Sequence, residues 1–189
     1  MPQSISRRAL FAPALLLPAA AWANEADALL RRLGDGGHFG LMRHALAPGT
    51  GDPPGLRLDD CTTQRNLGAE GRDQARRLGD RLRQAGIARA RVLTSRWCRA
   101  RETGALLGMG PPEDLDLLDS FFAARAAEAS RTRALRGWIA AAPLDPPVVL
   151  VSHQVNITAL TGVFPASGEL LVLRRAGADL SLAGRVPPT

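Results

Sequence analysis

The chain has 189 residues, of which 46% are hydrophobic and 22% charged, with a formal net charge of +6. That describes one ordinary globular domain and excludes a disordered, collagen-like or multi-span membrane chain. All 24 basic residues are arginines; this set reflects base composition and does not by itself indicate a nucleic-acid partner.

In chain order, the first segment reads as an export address. Ser6-Arg7-Arg8-Ala9-Leu10-Phe11 resembles a twin-arginine signal. Ala9 to Ala21 is apolar but too short to span a bilayer, and Ala21-Trp22-Ala23 has the small-x-small form of a cleavage site. The general secretory route and an uncleaved anchor are the alternatives. Cleavage after Ala23 divides the chain into a signal, residues 1–23, and a single domain, residues 24–189. The expected location is periplasmic or secreted, without stable membrane insertion. No Cys stands at the cleavage point, so no lipid anchor is expected there. Loss of Arg7 and Arg8 lowers the charge by two, and the remaining excess favours an anionic small ligand only slightly.

Phe39-Gly40-Leu41-Met42 is a strand signal that runs into Arg43-His44. Ala47 to Asp60 is rich in Gly, Pro and Asp and reads as a loop. Ala69 to Ala85 puts Ala75, Leu78 and Leu82 on one helical face, and Gly86 ends it. Val92 to Ser95 reads as a short strand. Arg99 to Leu107 reads as a helix, closed by Gly108 and Gly110-Pro111-Pro112. Leu115 to Leu118 is expected as another short strand and Ala123 to Ala141 as a long helix. Val148 to Val151 has the uninterrupted apolar form of a buried parallel strand. Ile157 to Leu160 begins a helix. Leu170 to Arg174 and Leu180 to Arg185 read as a hairpin around Gly177.

Strands alternating with helices predict an α/β layered domain with a largely parallel sheet, whose ligands sit outside the carboxyl ends of the strands. Three predicted strands end there in polar clusters: Arg43-His44, Ser95 to Arg99, and Ser152-His153-Gln154. Two histidines and two or more arginines on one rim suit phosphoryl chemistry. A guanidinium is a rigid fork of donors that stays charged through the transition state. An imidazole among guanidiniums is kept neutral, hence nucleophilic.

These residues carry a family resemblance. Leu41-Met42-Arg43-His44-Ala45 resembles the Arg-His signature of the histidine phosphatase superfamily, the phosphoglycerate-mutase-like fold. Asn66 to Ala75 is similar to its L-(S/T)-x-x-G-x-x-Q-A helix start, with Gly68 where a capping Ser or Thr is usual. Ser95-Arg96-Trp97-Cys98-Arg99-Ala100-Arg101-Glu102-Thr103 resembles the S-x-x-x-R-A-x-x-T segment. Val149 to His153 resembles the late strand that ends in the second histidine. The matches fall in family order between residues 39 and 162.

The resemblance implies a three-layer phosphoglycerate-mutase-like fold, with a mostly parallel central sheet flanked by helices. It implies His44 as nucleophile, Arg43 and Arg99 as clamps on the phosphoryl oxygens, and His153 completing the pocket. Arg65 and Gln154 flank the matched motifs as substrate-binding candidates, with solvated side chains as the equal alternative. The general acid is the weak position: Asp119 is the first candidate and Glu128 the second, although Asp119-Ser120-Phe121-Phe122 does not match the usual Glu-containing segment. No metal or cofactor is required. The expected activity is hydrolysis of a small phosphorylated compound, with a sugar phosphate or envelope-glycan phosphate suggested by location. A catalytically weak anion-binding member of the same fold is the alternative. A zinc site built from Cys61, Cys98, His44 and His153 is a rival whose spacing matches no usual zinc pattern.

Cys61 and Cys98 are the only cysteines. Export and an even count favour a disulfide beside the pocket, with two separate buried thiols as the other reading.

Overall fold

The computed structural model describes residues 19–188, with side chains from Glu25 onward. The expected export signal therefore lies for the most part outside the described residues. Its expected cleavage point falls within the first helix, α1 (Ala19–Arg31). Ala26, Leu29 and Leu30 of that helix are buried in the core, so cleavage after Ala23 leaves every one of these packing residues in the mature chain. No helix among the described residues is long and apolar enough to cross a membrane.

Six strands form one sheet: β1 (His38–Arg43), β2 (Arg91–Thr94), β3 (Glu113–Asp114), β4 (Val148–Ser152), β5 (Leu170–Ala176) and β6 (Asp179–Val186). Their order is β3-β2-β4-β1-β5-β6. The first four run parallel, and β5 and β6 are antiparallel additions on the β1 side. Gly177, at φ 63, makes the turn between β5 and β6.

The alternating side chains of the strands divide between two faces, as period-2 geometry requires. Met42, Val92, Val149, Val151, Leu170 and Val172 pack with α1, α2 (Ala69–Gln84) and α3 (Cys98–Leu106). Phe39, Leu41, Leu93, Leu150, Leu171 and Leu173 pack on the other face with α4 (Glu128–Ala141) and α5 (Gln154–Thr161). This is the three-layer α/β arrangement expected from the sequence.

Two stretches differ from expectation. Leu115 to Leu118 is not a strand: the pairing residues are Glu113 and Asp114, immediately after Pro112, and Asp116–Leu118 is a 3-10 turn that drives Leu118 into the core. The fourth helix starts at Glu128 rather than Ala123. Ala124 leaves helical geometry at φ −131, ψ 57, and a 3-10 turn over Arg125–Ala127 precedes the helix.

Helix α2 is seated against the loop that follows β1, and the matched motif supplies the contacts. A Cβ on Gly71 would lie 2.0 Å from the Leu46 carbonyl oxygen, so only glycine permits this approach. One turn further on, the Gln74 Oε1 accepts from the Leu46 N–H at 3.0 Å. Thr103 of α3 secures the same loop: its Oγ1 accepts from the Ala45 N–H at 3.0 Å and donates to the Arg99 carbonyl at 2.6 Å. The backbone after His44 is thus fixed from two helices.

Candidate active site

The parallel strands β1, β2 and β4 end on one rim, and the three polar clusters converge there. Arg43, His44, Arg65, Arg99, His153 and Gln154 line a single cavity of about 240 Å³. Six of the residues picked out by the sequence are therefore brought together.

His44 is 2% exposed. Its Nδ1 lies 2.8 Å from the Ala45 carbonyl oxygen, which can only accept, so Nδ1 carries the proton. Nε2 is then a lone pair, and the Arg99 Nε–H donates to it at 3.2 Å. Burial, followed by the adjacent Arg99 guanidinium, pushes the imidazole pKa down to about 3, with Arg43 and Arg65 acting in the same direction. At neutral pH His44 is an uncharged imidazole with its unprotonated nitrogen among cations, as a nucleophile requires.

His153 stands with its ring centroid 5.3 Å from that of His44, in an edge-on arrangement. Burial, then His44 and Arg99, hold its pKa well below the ordinary histidine value. Its Nε2 lies 2.8 Å from Ser95 Oγ, and Ser95 donates to Asp119 Oδ1 at 3.2 Å. With its own proton on a carboxylate, the Ser95 oxygen accepts from His153. The Nε2–H tautomer follows, and Nδ1 is the edge left for the cavity.

Arg43 gives one terminal nitrogen to the Pro165 carbonyl at 3.2 Å, and its buried Nε has no partner. An orphaned guanidinium donor beside a neutral imidazole suits an anionic oxygen. Arg65 braces the loop after β1: Nε donates to the Gly51 carbonyl at 2.7 Å and Nη1 to the Ala47 carbonyl at 2.5 Å. Gln154 lines the cavity, but its amide donates to Thr158 of its own helix at 3.0 Å.

Asp119 is not brought into the cavity. Its Oδ2 accepts from the Arg96 Nε at 2.8 Å and Nη2 at 2.6 Å, and its Oδ1 accepts from the Arg96 N–H at 2.9 Å as well as from Ser95. The carboxylate thus reaches the site only through Ser95 and His153. Glu128 lies on the surface, 3.8 Å from Arg125. The carboxylate that does line the cavity is Asp52, from the Gly/Pro loop after β1. Its Oδ1 accepts from the Arg99 Nη1 at 2.5 Å, and its Oδ2 from Nη2 at 3.2 Å and from the Trp97 indole N–H at 3.1 Å. The only local signal for Asp52 was an acidic residue among turn residues, and nothing local links it to Arg99, 47 positions away.

Cys61 and Cys98 are bonded to each other, with their Cα atoms 5.7 Å apart. Neither sulfur is a free thiolate, which removes the zinc rival's ligand set. Among the described residues no group of three or more His, Cys, Asp or Glu is placed to hold a metal. The disulfide joins the end of the loop to the residue before Arg99, and Gln64 reinforces the join by accepting from the Cys98 N–H at 3.0 Å.

Residues 41–121 match the family model of the histidine phosphatase superfamily (branch 1), and this stretch holds Arg43, His44, Arg65 and Arg99. That stretch of the chain is thus similar to the histidine phosphatase superfamily. Solved structures of the same fold are similar over most of their length. The protein histidine phosphatase SixA complexed with tungstate has a TM-score of 0.58 at 17% identity, covering 80% of this chain and 97% of its own. A mycobacterial glucosyl-3-phosphoglycerate phosphatase complexed with VO3 has a TM-score of 0.57 at 18% identity, covering 77% and 96%. A protein described as mycobacterial hydrolase 1 has a TM-score of 0.59 at 18% identity, covering 82% and 100%. At these identities the likeness is one of fold. No curated protein matches the chain by sequence.

Proposed function

We propose that this protein is an exported phosphatase that hydrolyses a small phosphomonoester through a phosphohistidine on His44. The observation that carries the reading is the fixed tautomer of His44: its Nε2 lone pair lies in a cavity lined by Arg43, Arg65 and Arg99. The bound phosphoryl group sits against that nitrogen. The Arg43 Nε and the Arg99 guanidinium take the equatorial oxygens, and His153 forms the wall of the pocket beside His44. Nε2 attacks phosphorus as the ester oxygen leaves with its electron pair and takes a proton; water then displaces His44 and releases inorganic phosphate.

Export rests on the twin-arginine-like start and on the cysteine pair, since disulfides persist in oxidising compartments. A periplasmic or secreted location makes a sugar phosphate or envelope-glycan phosphate the first substrates to try. Of the structural neighbours, one is a phosphatase for a glycosylated phosphoglycerate and another a protein histidine phosphatase. The cavity favours a small ester, and the family's other activity, phosphoryl return in a mutase, calls for a shielding lid that this short chain has little room for. One observation favours a turnover-deficient anion-binding member: Asp119, the acid expected from the sequence, is occupied by Arg96. Catalytic release of phosphate separates the two. The purified mature protein should release phosphate from at least one ester in a screen of sugar phosphates, nucleotides and glycan fragments, insensitive to chelators. His44→Ala should lose several orders of magnitude in rate while remaining folded. A folded His44→Ala protein with near-normal turnover overturns the reading.

A further inference from the structure

Two cavities meet at the loop after β1. The inner one holds His44 and His153. The outer one, of about 400 Å³, is lined by Pro53, Leu56, Trp97 and Ala123 among others. Gly51, Asp52, Ser120 and Phe122 line both, and Asp52 is the only charged residue of the outer one. In a phosphomonoester seated on the His44 Nε2, phosphorus occupies the inner cavity and the alcohol portion points outward. The bridging oxygen then lies at the junction, where the Asp52 carboxyl group stands.

We infer that Asp52 is the catalytic acid and base of this site: it protonates the leaving oxygen and then deprotonates the attacking water. This rests on the phosphatase reading above. Asp52 is the counter-ion of Arg99, a side chain only 3% exposed. Arg99 faces it from α3, Trp97 from the turn before α3, Arg65 from the chain before α2 and His44 from the end of β1. A phosphoryl group needs the same Arg99 fork, so it displaces the carboxylate and sets two negative groups side by side. The repulsion is relieved when Asp52 takes up one proton. That proton passes to the bridging oxygen as the P–O bond breaks and the P–Nε2 bond forms. The carboxylate so produced accepts a proton from water as the water oxygen bonds to phosphorus and Nε2 leaves with its electron pair. The reaction thus returns the enzyme with Asp52 protonated, ready for the next ester or for release of the proton to solvent.

Leaving-group chemistry tests this, because a good leaving oxygen needs no proton. Wild type, Asp52→Asn and Asp52→Glu are assayed on ethyl phosphate and on para-nitrophenyl phosphate, with thermal melts to establish folding. For Asp52→Asn, kcat on the alkyl ester should fall by roughly 10²–10⁴-fold, the usual worth of a general acid, and on the aryl ester by about tenfold or less. Asp52→Glu should recover part of the alkyl rate. Wild-type kcat on the alkyl ester should also decline at high pH, as the acid is lost, with no such limb on the aryl ester. Equal losses on both esters mean that Asp52 only positions Arg99, and they overturn the inference while leaving the phosphatase reading intact. A wild type that turns over the aryl ester alone has no working acid and overturns it too. A wild type inert toward both esters overturns the phosphatase reading itself. If Asp52→Asn does not fold, the wild-type pH profiles decide.

Discussion

Acidification is the perturbation that reads the buried histidines most directly. His44 titrates at about 3 in the folded chain against an ordinary value of 6.5, and His153 is displaced in the same direction. Both values are depressed, so the unfolded chain binds more protons than the folded one once the pH drops below the ordinary value. The contribution is complete above pH 6.5 and is lost progressively as the pH falls toward 3. At about 1.4 kcal/mol per pH unit and per proton, taking the pH from 7 to 4.5 removes about 2.5 kcal/mol through His44 alone. His153 adds to the loss in the same direction, against a whole stability of roughly 5–15 kcal/mol for an ordinary domain. Between pH 7 and about 5.5 carboxylates with ordinary or depressed values are still largely ionised, so the slope there belongs to the histidines. The assay is urea unfolding of the phosphate-free protein at half-unit pH steps. A His44→Gln, His153→Gln double variant should show a nearly flat profile. An equally steep fall in the double variant, or a flat profile in the wild type, refutes the assignment of the slope to these two imidazoles.

Two further outcomes follow from the clamp and the disulfide. Arg99→Lys should be severely impaired in kcat, since one ammonium cannot reach the His44 Nε2 and a phosphoryl oxygen together as the guanidinium does; an unchanged rate means that Arg99 does not bind the phosphoryl group. Reduction of Cys61–Cys98 opens a link spanning 37 positions, worth ~4 kcal/mol at most in the chain-entropy model. The melting temperature should therefore drop by up to roughly 10 °C with the fold retained, because the sheet and helices keep their own apolar faces. Two free thiols in denatured, unreduced protein rule the bond out.

Where the sequence was legible, the physics was local or periodic. Val148 to Val151 announced a strand buried on both faces, and β4 is buried along its whole length. The spacing of Ala75, Leu78 and Leu82 announced the buried side of α2. The catalytic candidates were legible because each ends a strand or starts a helix, and a parallel sheet gathers such ends on one rim. The stretches that misled depend on contacts outside their own window. Leu115 to Leu118 has strand-like residues, yet the edge of the sheet is claimed by Glu113 and Asp114, and Leu118 is drawn into the core. Ala123 to Glu128 has good helix formers, but the chain turns at Ala124, where a 3-10 turn precedes the helix. Asp119 follows a stretch that reads as a strand but folds as a 3-10 turn, and Arg96, three residues before Arg99, takes its outer edge.

The same comparison explains why Asp52 escapes a linear reading and Asp119 does not. Asp119 is held by Ser95 and Arg96, inside a matched segment, and its effect passes through Ser95 to the second histidine. Asp52 belongs to a loop whose conformation is set elsewhere. Gly49 and Gly51, at φ 86 and 69, allow the turn that side chains with a Cβ resist. Arg65 holds the carbonyls of Ala47 and Gly51, and the disulfide ties the far end of the loop to the residue before Arg99. Each of these features reads separately as turn chemistry, a solvated arginine and an oxidised pair. Together they carry one carboxylate to the guanidinium that touches the His44 Nε2. The guanidiniums of Arg43, Arg65 and Arg99 line the cavity with the single carboxylate of Asp52, an imbalance that a phosphoryl dianion corrects. The group it displaces from Arg99 is left beside the oxygen that must be protonated, so binding the substrate and arming the acid are one event.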